Sequence, residues 1–251
     1  MAGSLGLKIA RLAIVVAIFA GWEALSRTGA VNPRLLPAAS DTLSTLGELL
    51  QRGSVRNDLA ATASEVLAAF ALAVPFGCLI GFLIAENRYF AEVMKPLLFF
   101  AFSIPKSIFL PMFILVFGVG FAEKVGFGFF STIFIVIMST TTAVESVKME
   151  YLTVARSYGA TGAQTAFRVY LPSMLPVLLE ALRISMIFNL TGVILAEMYA
   201  SRDGIGHQIA TWGENFQMKQ LLAGVVMIAA IAIAFNEIIR WVETRCSHWR
   251  T

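Results

Sequence analysis

Two stretches of 20 residues, 66–85 and 125–144, contain no charged side chain, and no other feature limits so sharply what the chain can fold into. At about 1.5 Å of rise per residue, a helix of that length crosses the roughly 30 Å of hydrocarbon in a bilayer. Further apolar blocks follow the same rule. Residues 97–120 are interrupted by Lys106 alone, residues 173–198 carry Glu180 and Arg183 in their first half and Glu197 near their end, and residues 221–242 are uncharged through Asn236. A sixth block, 12–25, follows Lys8 and Arg11; the poor cleavage site around residues 24–30 favours a retained helix over a cleaved signal peptide.

Composition supports the same reading. Charged residues make up 14% of the chain, against about 25% in an ordinary soluble domain. With 58% apolar residues and a mean hydropathy of +0.77, a soluble globule would expose more apolar surface than a monomer tolerates. The predicted fold class is an all-α polytopic membrane protein with six spans, formed as one transmembrane domain over residues 1–251.

The net charge of +3 does not point to nucleic acid, because the basic residues are scattered and form no stripe. They read as membrane-flank charges. Ten of them, from Lys8 and Arg11 to Arg240, Arg245 and Arg250, fall on the side of the N-terminus, against seven on the other side. Short cytoplasmic loops are enriched in Lys and Arg, so both termini are expected in the cytoplasm.

An intramembrane enzyme is the remote alternative, and it needs convergent catalytic groups within the spans. His207 and His248 lie outside them, as do Asp41, Asp58 and Asp203, so neither an HExxH zinc motif nor an intramembrane aspartyl pair is present. Cys78 and Cys246 offer no CxxC site. No catalytic residue, metal ligand or cofactor of this chain is predicted.

Charges and polar groups inside spans are costly and mark candidates for a solute path or gate. Lys106 follows Pro105, which breaks a helix and frees backbone polar groups, so Lys106 either lines a cavity that attracts an anion or snorkels to an interface. Arg183 lies three residues after Glu180, so it either pairs within its helix or serves a gate. Glu197 meets the path mouth, a docking protein or water. Asn189 and Thr191 are polar at mid-membrane depth, suited equally to a path or to interhelical hydrogen bonds. The phenylalanines at 99, 100, 102, 109, 113 and 117, and Pro75, Gly77 and Gly81, read mainly as packing residues.

Two connecting segments exceed a turn. In 26–60, Leu43, Leu46, Leu49 and Leu50 have the spacing of a short amphipathic helix at the membrane surface, with a plain linker as the alternative. In 145–172, Leu152, Ala155, Tyr158, Phe167, Val169 and Leu171 space out two short helices around Gly159, which permits a tight change of direction.

The second segment carries a resemblance. Ala155-Arg156-Ser157-Tyr158-Gly159, separated by the nine residues from Ala160 to Arg168 from Val169, Leu171 and Pro172, resembles the cytoplasmic EAA loop of ABC-transporter permeases. Thr153 and Val154 stand where that pattern has its acidic residue and first alanine. Along the rest of the chain, Leu36-Pro37, Ile104-Pro105-Lys106, Leu110-Pro111, Phe117-Gly118-Val119-Gly120, Leu182-Arg183, Ala196-Glu197 and Gly204-Ile205-Gly206 are similar to the branch serving nitrate, sulfonate, taurine and related solutes.

The resemblance implies a type I importer permease of a bacterial inner membrane, in contact with membrane lipid. It implies two partner ABC ATPase subunits that bind ATP and Mg, a second permease copy forming a homodimer, and a periplasmic or lipid-anchored solute-binding protein. Thr153, Val154, Ala155, Arg156, Gly159, Ala160, Val169, Leu171 and Pro172 would dock the ATPase. The chain has no Gly-Lys dipeptide and so no phosphate-cradling GxxxxGK[ST] loop of its own. The implied task is import of a small anion of sulfonate, taurine, nitrate or bicarbonate type, with a neutral or cationic heterocycle such as a thiamine precursor as the alternative.

Overall fold

The computed structural model describes residues 2–246; His248, Arg250 and the side chains of Arg245 and Cys246 fall outside the described residues. Among those residues the chain is helical and has no strand. Five helices are long and apolar enough to cross a membrane, or six with one bent pair counted as a span.

The core is a three-helix packing of α3 (Gly53–Glu86), α6 (Phe121–Glu145) and α9 (Leu171–Tyr199). At about 1.5 Å per residue, the 34 residues of α3 are longer than a bilayer core is thick, so this helix continues well past residue 66, where the charge-free block starts. Val66, Ala69, Val125, Met186, Leu190 and Val193 form the buried centre. Small residues set the helix spacing. A Cβ on Gly77 would lie 2.7 Å from Val136, and one on Gly192 would lie 2.6 Å from the Ser131 hydroxyl, so packing explains these glycines.

The expected span 97–120 is corrected by the structure. α4 (Arg88–Ser103) starts earlier, and after a 3₁₀ turn at Lys106–Phe109 the chain continues as α5 (Leu110–Phe117) at a bend of 77°. The cause is Pro105: Ile104 before it is extended (φ −70°, ψ 128°), as a residue preceding proline is driven to be. Phe113 then packs edge-on to Phe127, and Phe109 onto Phe130, while Phe99 and Phe100 stay exposed.

α1 (Ala2–Arg27) is the least buried span. It is tied down at its C-terminal end, where Trp22 donates to the Pro37 carbonyl and Ser26 to that of Leu36. The short helix α2 (Ala39–Gln51) packs on α11 (Met218–Cys246), with Leu49 fully buried beside Ile205, Trp212 and Met227. Leu43 and Leu50 remain exposed, so α2 packs on the bundle by one face.

Candidate functional site

Three arrangements bear on function: a knob between α6 and α9, a polar cluster at the opposite end of the core, and the open face of α9.

The knob begins with α7 (Met149–Ser157). Gly159 has φ +70°, the Gly159 amide donates to the Arg156 carbonyl, and the Ala160 amide donates to the Ala155 carbonyl. This pair of bonds is a Schellman motif, in which the residue after the helix must enter the left-handed region. The Ala155, Gly159 and Ala160 spacing is therefore the spacing of a helix stop. Restart follows at once. Thr161 caps α8 (Gly162–Thr165) in a reciprocal capping box with Gln164, and a π-helical turn, Ala166–Tyr170, leads into Leu171-Pro172 at the start of α9.

The knob is rooted by Leu152, which is buried, and by Tyr170, whose ring meets Phe82 edge-on at 5.5 Å. Its outer side exposes Met149, Tyr151, Val154, Tyr158 and Phe167. Thr153 donates to the Met149 carbonyl and Thr153's own carbonyl accepts from Ser157. Thr153, Val154, Arg156 and Gly159 are exposed, Ala155, Ala160, Val169 and Pro172 half-buried, and Leu171 exposed, so most of the residues singled out from the sequence lie on this one projection.

At the other end of the core, Glu197 is fully buried. Its Oε1 accepts from the Thr62 hydroxyl at 2.6 Å and its Oε2 from the Gly206 amide at 2.7 Å. The Gly204 amide donates to Asp58 Oδ1 at 3.0 Å and the Ile205 amide to Thr62 Oγ1 at 2.9 Å. The first amides of α10 (Ile205–Glu214), which have no partner within their own helix, are thus capped from α3 and α9. Beside them Lys124, 1% exposed, lies 2.6 Å from Glu65 Oε1 and 2.6 Å from Asp203 Oδ1. The ammonium of Lys124 holds the Asp203 carboxyl below the usual carboxylate range. Glu123 is buried next to Lys124.

Glu197 thus faces the interior of the chain and not an open mouth. Asn189 is likewise fully buried, donating to the Val66 carbonyl at 2.7 Å, which is the interhelical bond open to it from sequence. Glu65 and Lys124 were not legible as core groups, because each sits one residue before a charge-free block and looks like a membrane flank. The available signal was the pairing of Ala196-Glu197 with the two glycines at 204 and 206.

Thr191 is exposed on α9, on one stripe with Ile184 and Ile187, and donates to the Ile187 carbonyl. Arg183 is half-buried and donates to Asn236 of α11 at 3.0 Å. Lys106, at the helix break, donates to the Phe102 carbonyl at 3.1 Å and lies 4.3 Å from the centre of the Phe102 ring; that ring touches Phe188 of α9 at 5.6 Å. Lys106, Arg183 and Thr191 are therefore all carried on α9 or beside it, whereas Asn189 and Glu197 lie within the core.

Residues 45–248 match the family described as the binding-protein-dependent transport system inner membrane component. The taurine transport system permease protein of Escherichia coli strain K12 is 26% identical over 248 residues, covering 97% of this chain and 89% of that protein. The putative aliphatic sulfonates transport permease protein of Bacillus subtilis strain 168 is 25% identical, covering 95% and 85% respectively. The formylaminopyrimidine transport permease protein of Halalkalibacterium halodurans is 26% identical, covering 76% and 77%. In fold, the chain is similar to an inward-facing structure of the MetNI methionine ABC transporter, with a TM-score of 0.64, 18% identity and coverage of 79% of this chain and 96% of that one.

Proposed function

The chain belongs to the binding-protein-dependent transport system inner membrane components, and from that premise we propose that it forms the path of a small anion, with the 145–172 knob held by a partner ATPase. It is the permease subunit of an ABC importer and not itself an enzyme. ATPase and binding-protein partners come with the family.

The proposal for the knob rests on its geometry. A Schellman stop at Gly159, a capped restart at Thr161 and exposed Tyr158 and Phe167 make a projection that a groove can grip. Two ATPase subunits closing on ATP would draw two such knobs together, one from each copy of a homodimer. Because α9 leaves the knob directly and carries Arg183 and Thr191, its movement would re-aim the path and provide alternating access. In this reading the knob and both termini are cytoplasmic, and the membrane is a bacterial inner membrane.

The observation that carries the choice of an anion is the placement of Lys106 at the 77° break beside α9. A cation held at a helix break offers an anion a partner at membrane depth. The relatives that transport taurine and aliphatic sulfonates support this substrate class. The heterocycle reading is supported by the formylaminopyrimidine relative and by the Phe102–Phe188 pair, against which a ring could stack. Uptake of labelled taurine, an alkanesulfonate, nitrate and a formylaminopyrimidine by the reconstituted transporter tests both. Anion uptake that falls in Lys106→Gln supports the proposal; uptake of the pyrimidine alone, unaffected by Lys106→Gln, overturns it.

A further inference from the structure

Two membrane spans end at one cavity. α1 closes at Arg27 and α11 opens at Met218, and both residues line a cavity of about 860 Å³ between the α1–α2 connection and the α10–α11 turn. Because the apolar parts of both spans stop here, the cavity lies at the depth of the lipid headgroups. Trp22 stands at the same level, its indole N–H donating to the Pro37 carbonyl, as interfacial tryptophans do. Beyond this end α1 is almost unburied, at 6% of its apolar window, so acyl chains reach the cavity along it.

The charge in the cavity does not balance. Arg27, Arg34, Lys219 and Asp41 line it. Lys219 lies 2.9 Å from Asp41, and Arg27 lies 2.6 Å from Glu23 and donates to the Ser40 hydroxyl. Arg34 is held through its backbone amide, which donates to the Asn32 side chain, and its guanidinium has no acidic partner among the described residues. Three cations thus face two carboxylates. One wall is the first turn of α11, whose amides have no partner within their own helix and add to the positive potential.

The rim is apolar. Leu35 is 58% exposed and Phe216 77%. Phe216 occupies the left-handed position of a second Schellman motif, at φ +56°: its amide donates to the Gly213 carbonyl and the Gln217 amide to that of Trp212. Glycine takes this position at the least cost, and a ring so exposed gains little from packing inside its own chain. At headgroup depth an aromatic ring meets lipid instead.

We propose that this cavity binds the phosphate group of a membrane phospholipid, with Arg34 as its ion-pair partner and with Leu35 and Phe216 against the upper part of the acyl chains. A phosphodiester supplies the single negative charge that the site lacks, and its oxygens suit a guanidinium fork. The bound lipid staples the end of α1 to the start of α11. The site is separate from the solute path proposed above and stands whichever solute is carried. Free phosphate offers the same chemistry without the chains.

Native mass spectrometry of the purified full-length chain in mild detergent tests this, with phosphatidylglycerol, diacylglycerol of the same chains and inorganic phosphate as probes. The wild type is expected to retain phosphatidylglycerol and not diacylglycerol. Arg34→Gln should retain it about fivefold more weakly, Arg34→Lys should keep most of the binding, and Arg88→Gln, at an exposed cation near the knob, should match the wild type. Phe216→Gly should retain less lipid while melting no lower than the wild type, which a purely structural role of the ring does not explain. Phosphatidylglycerol should raise the melting temperature of the wild type more than that of Arg34→Gln. Inorganic phosphate that displaces the lipid from the wild type supports the phosphate site with a soluble source, and lipid that withstands it supports the membrane source. Equal retention of diacylglycerol, undiminished binding by Arg34→Gln, or equal losses in Arg34→Gln and Arg88→Gln overturn the proposal.

Discussion

The carboxyl of Glu197 fills the space that side chains at two glycines would require. A Cβ on Gly206 would lie 2.7 Å from both Glu197 Cβ and the Ile194 carbonyl, and Gly204, at φ +101°, would press its own Cβ into the Glu197 carboxyl. Gly206→Ala is therefore expected to cost about 1–3 kcal/mol through overpacking, read as a lowered melting temperature with membrane insertion unchanged; an unaltered melt would show that the loop shifts freely. Asp203 adds a pH dependence with a definite sign. Its carboxyl is depressed below the usual range by Lys124, so its stabilising contribution is complete above the ordinary aspartate value of about 4 and is lost as pH falls through the lower, folded-state value. Asp203→Asn should flatten that acid limb, read as a melting temperature that falls less on acidification than the wild type's. At this scale the sequence was only partly legible. Glu197, Gly204 and Gly206 stood out as residues, but periodicity could not show that Glu65 and Lys124 turn inward, since a charge next to an apolar block has the same pattern whether it flanks a membrane or enters a core.

At the scale of elements, turn chemistry was the most legible part. The glycine-centred segment predicted two helices and a reversal, and the bonds from Gly159 to Arg156 and from Ala160 to Ala155 provide the reason. Span ends were less legible, because hydropathy marks the lipid-crossing part of a helix and not its full length: α3 runs from Gly53 and α6 from Phe121. Pro105 was visible, yet a 77° bend depends on where α5 finds its packing against Phe127 and Phe130. Pro105→Ala restores an amide donor and releases Ile104 from its extended conformation. The expected outcome is a longer distance between spin labels placed on α4 and α5, reflecting a straighter helix pair, together with reduced uptake as Lys106 leaves α9. An unchanged distance would assign the bend to tertiary packing alone.

Over the whole molecule, the three arrangements lie along one pair of helices. α9 begins at the knob, carries Arg183 and Thr191 on its accessible side, and ends at Glu197 in the polar cluster; α3 runs beside it from Asp58 and Glu65 to Phe82 under the knob. In the proposed coupling, a displacement at the knob would reach a helix whose far end is pinned, and α9 would pivot. The membership of the family and the all-α architecture were legible from the apolar blocks and the loop spacing, because both are local in sequence; the pinning was not, because it joins residues as far apart as Thr62 and Glu197.

The central claim, that the knob transmits ATPase closure to α9, is tested most directly at Gly159. A Cβ there meets nothing within 4 Å, and Asp is among the residues that tolerate the left-handed region best, so Gly159→Asp should leave the chain folded and inserted while placing bulk and charge on the gripping surface. The measurement is solute uptake and ATP hydrolysis by the reconstituted transporter carrying wild-type or Gly159→Asp chain at equal amounts. The account predicts that uptake falls by about tenfold or more, the loss of roughly 1.4 kcal/mol or more of coupling, with hydrolysis no longer raised by the solute-loaded binding protein. Uptake and stimulated hydrolysis equal to the wild type would contradict it.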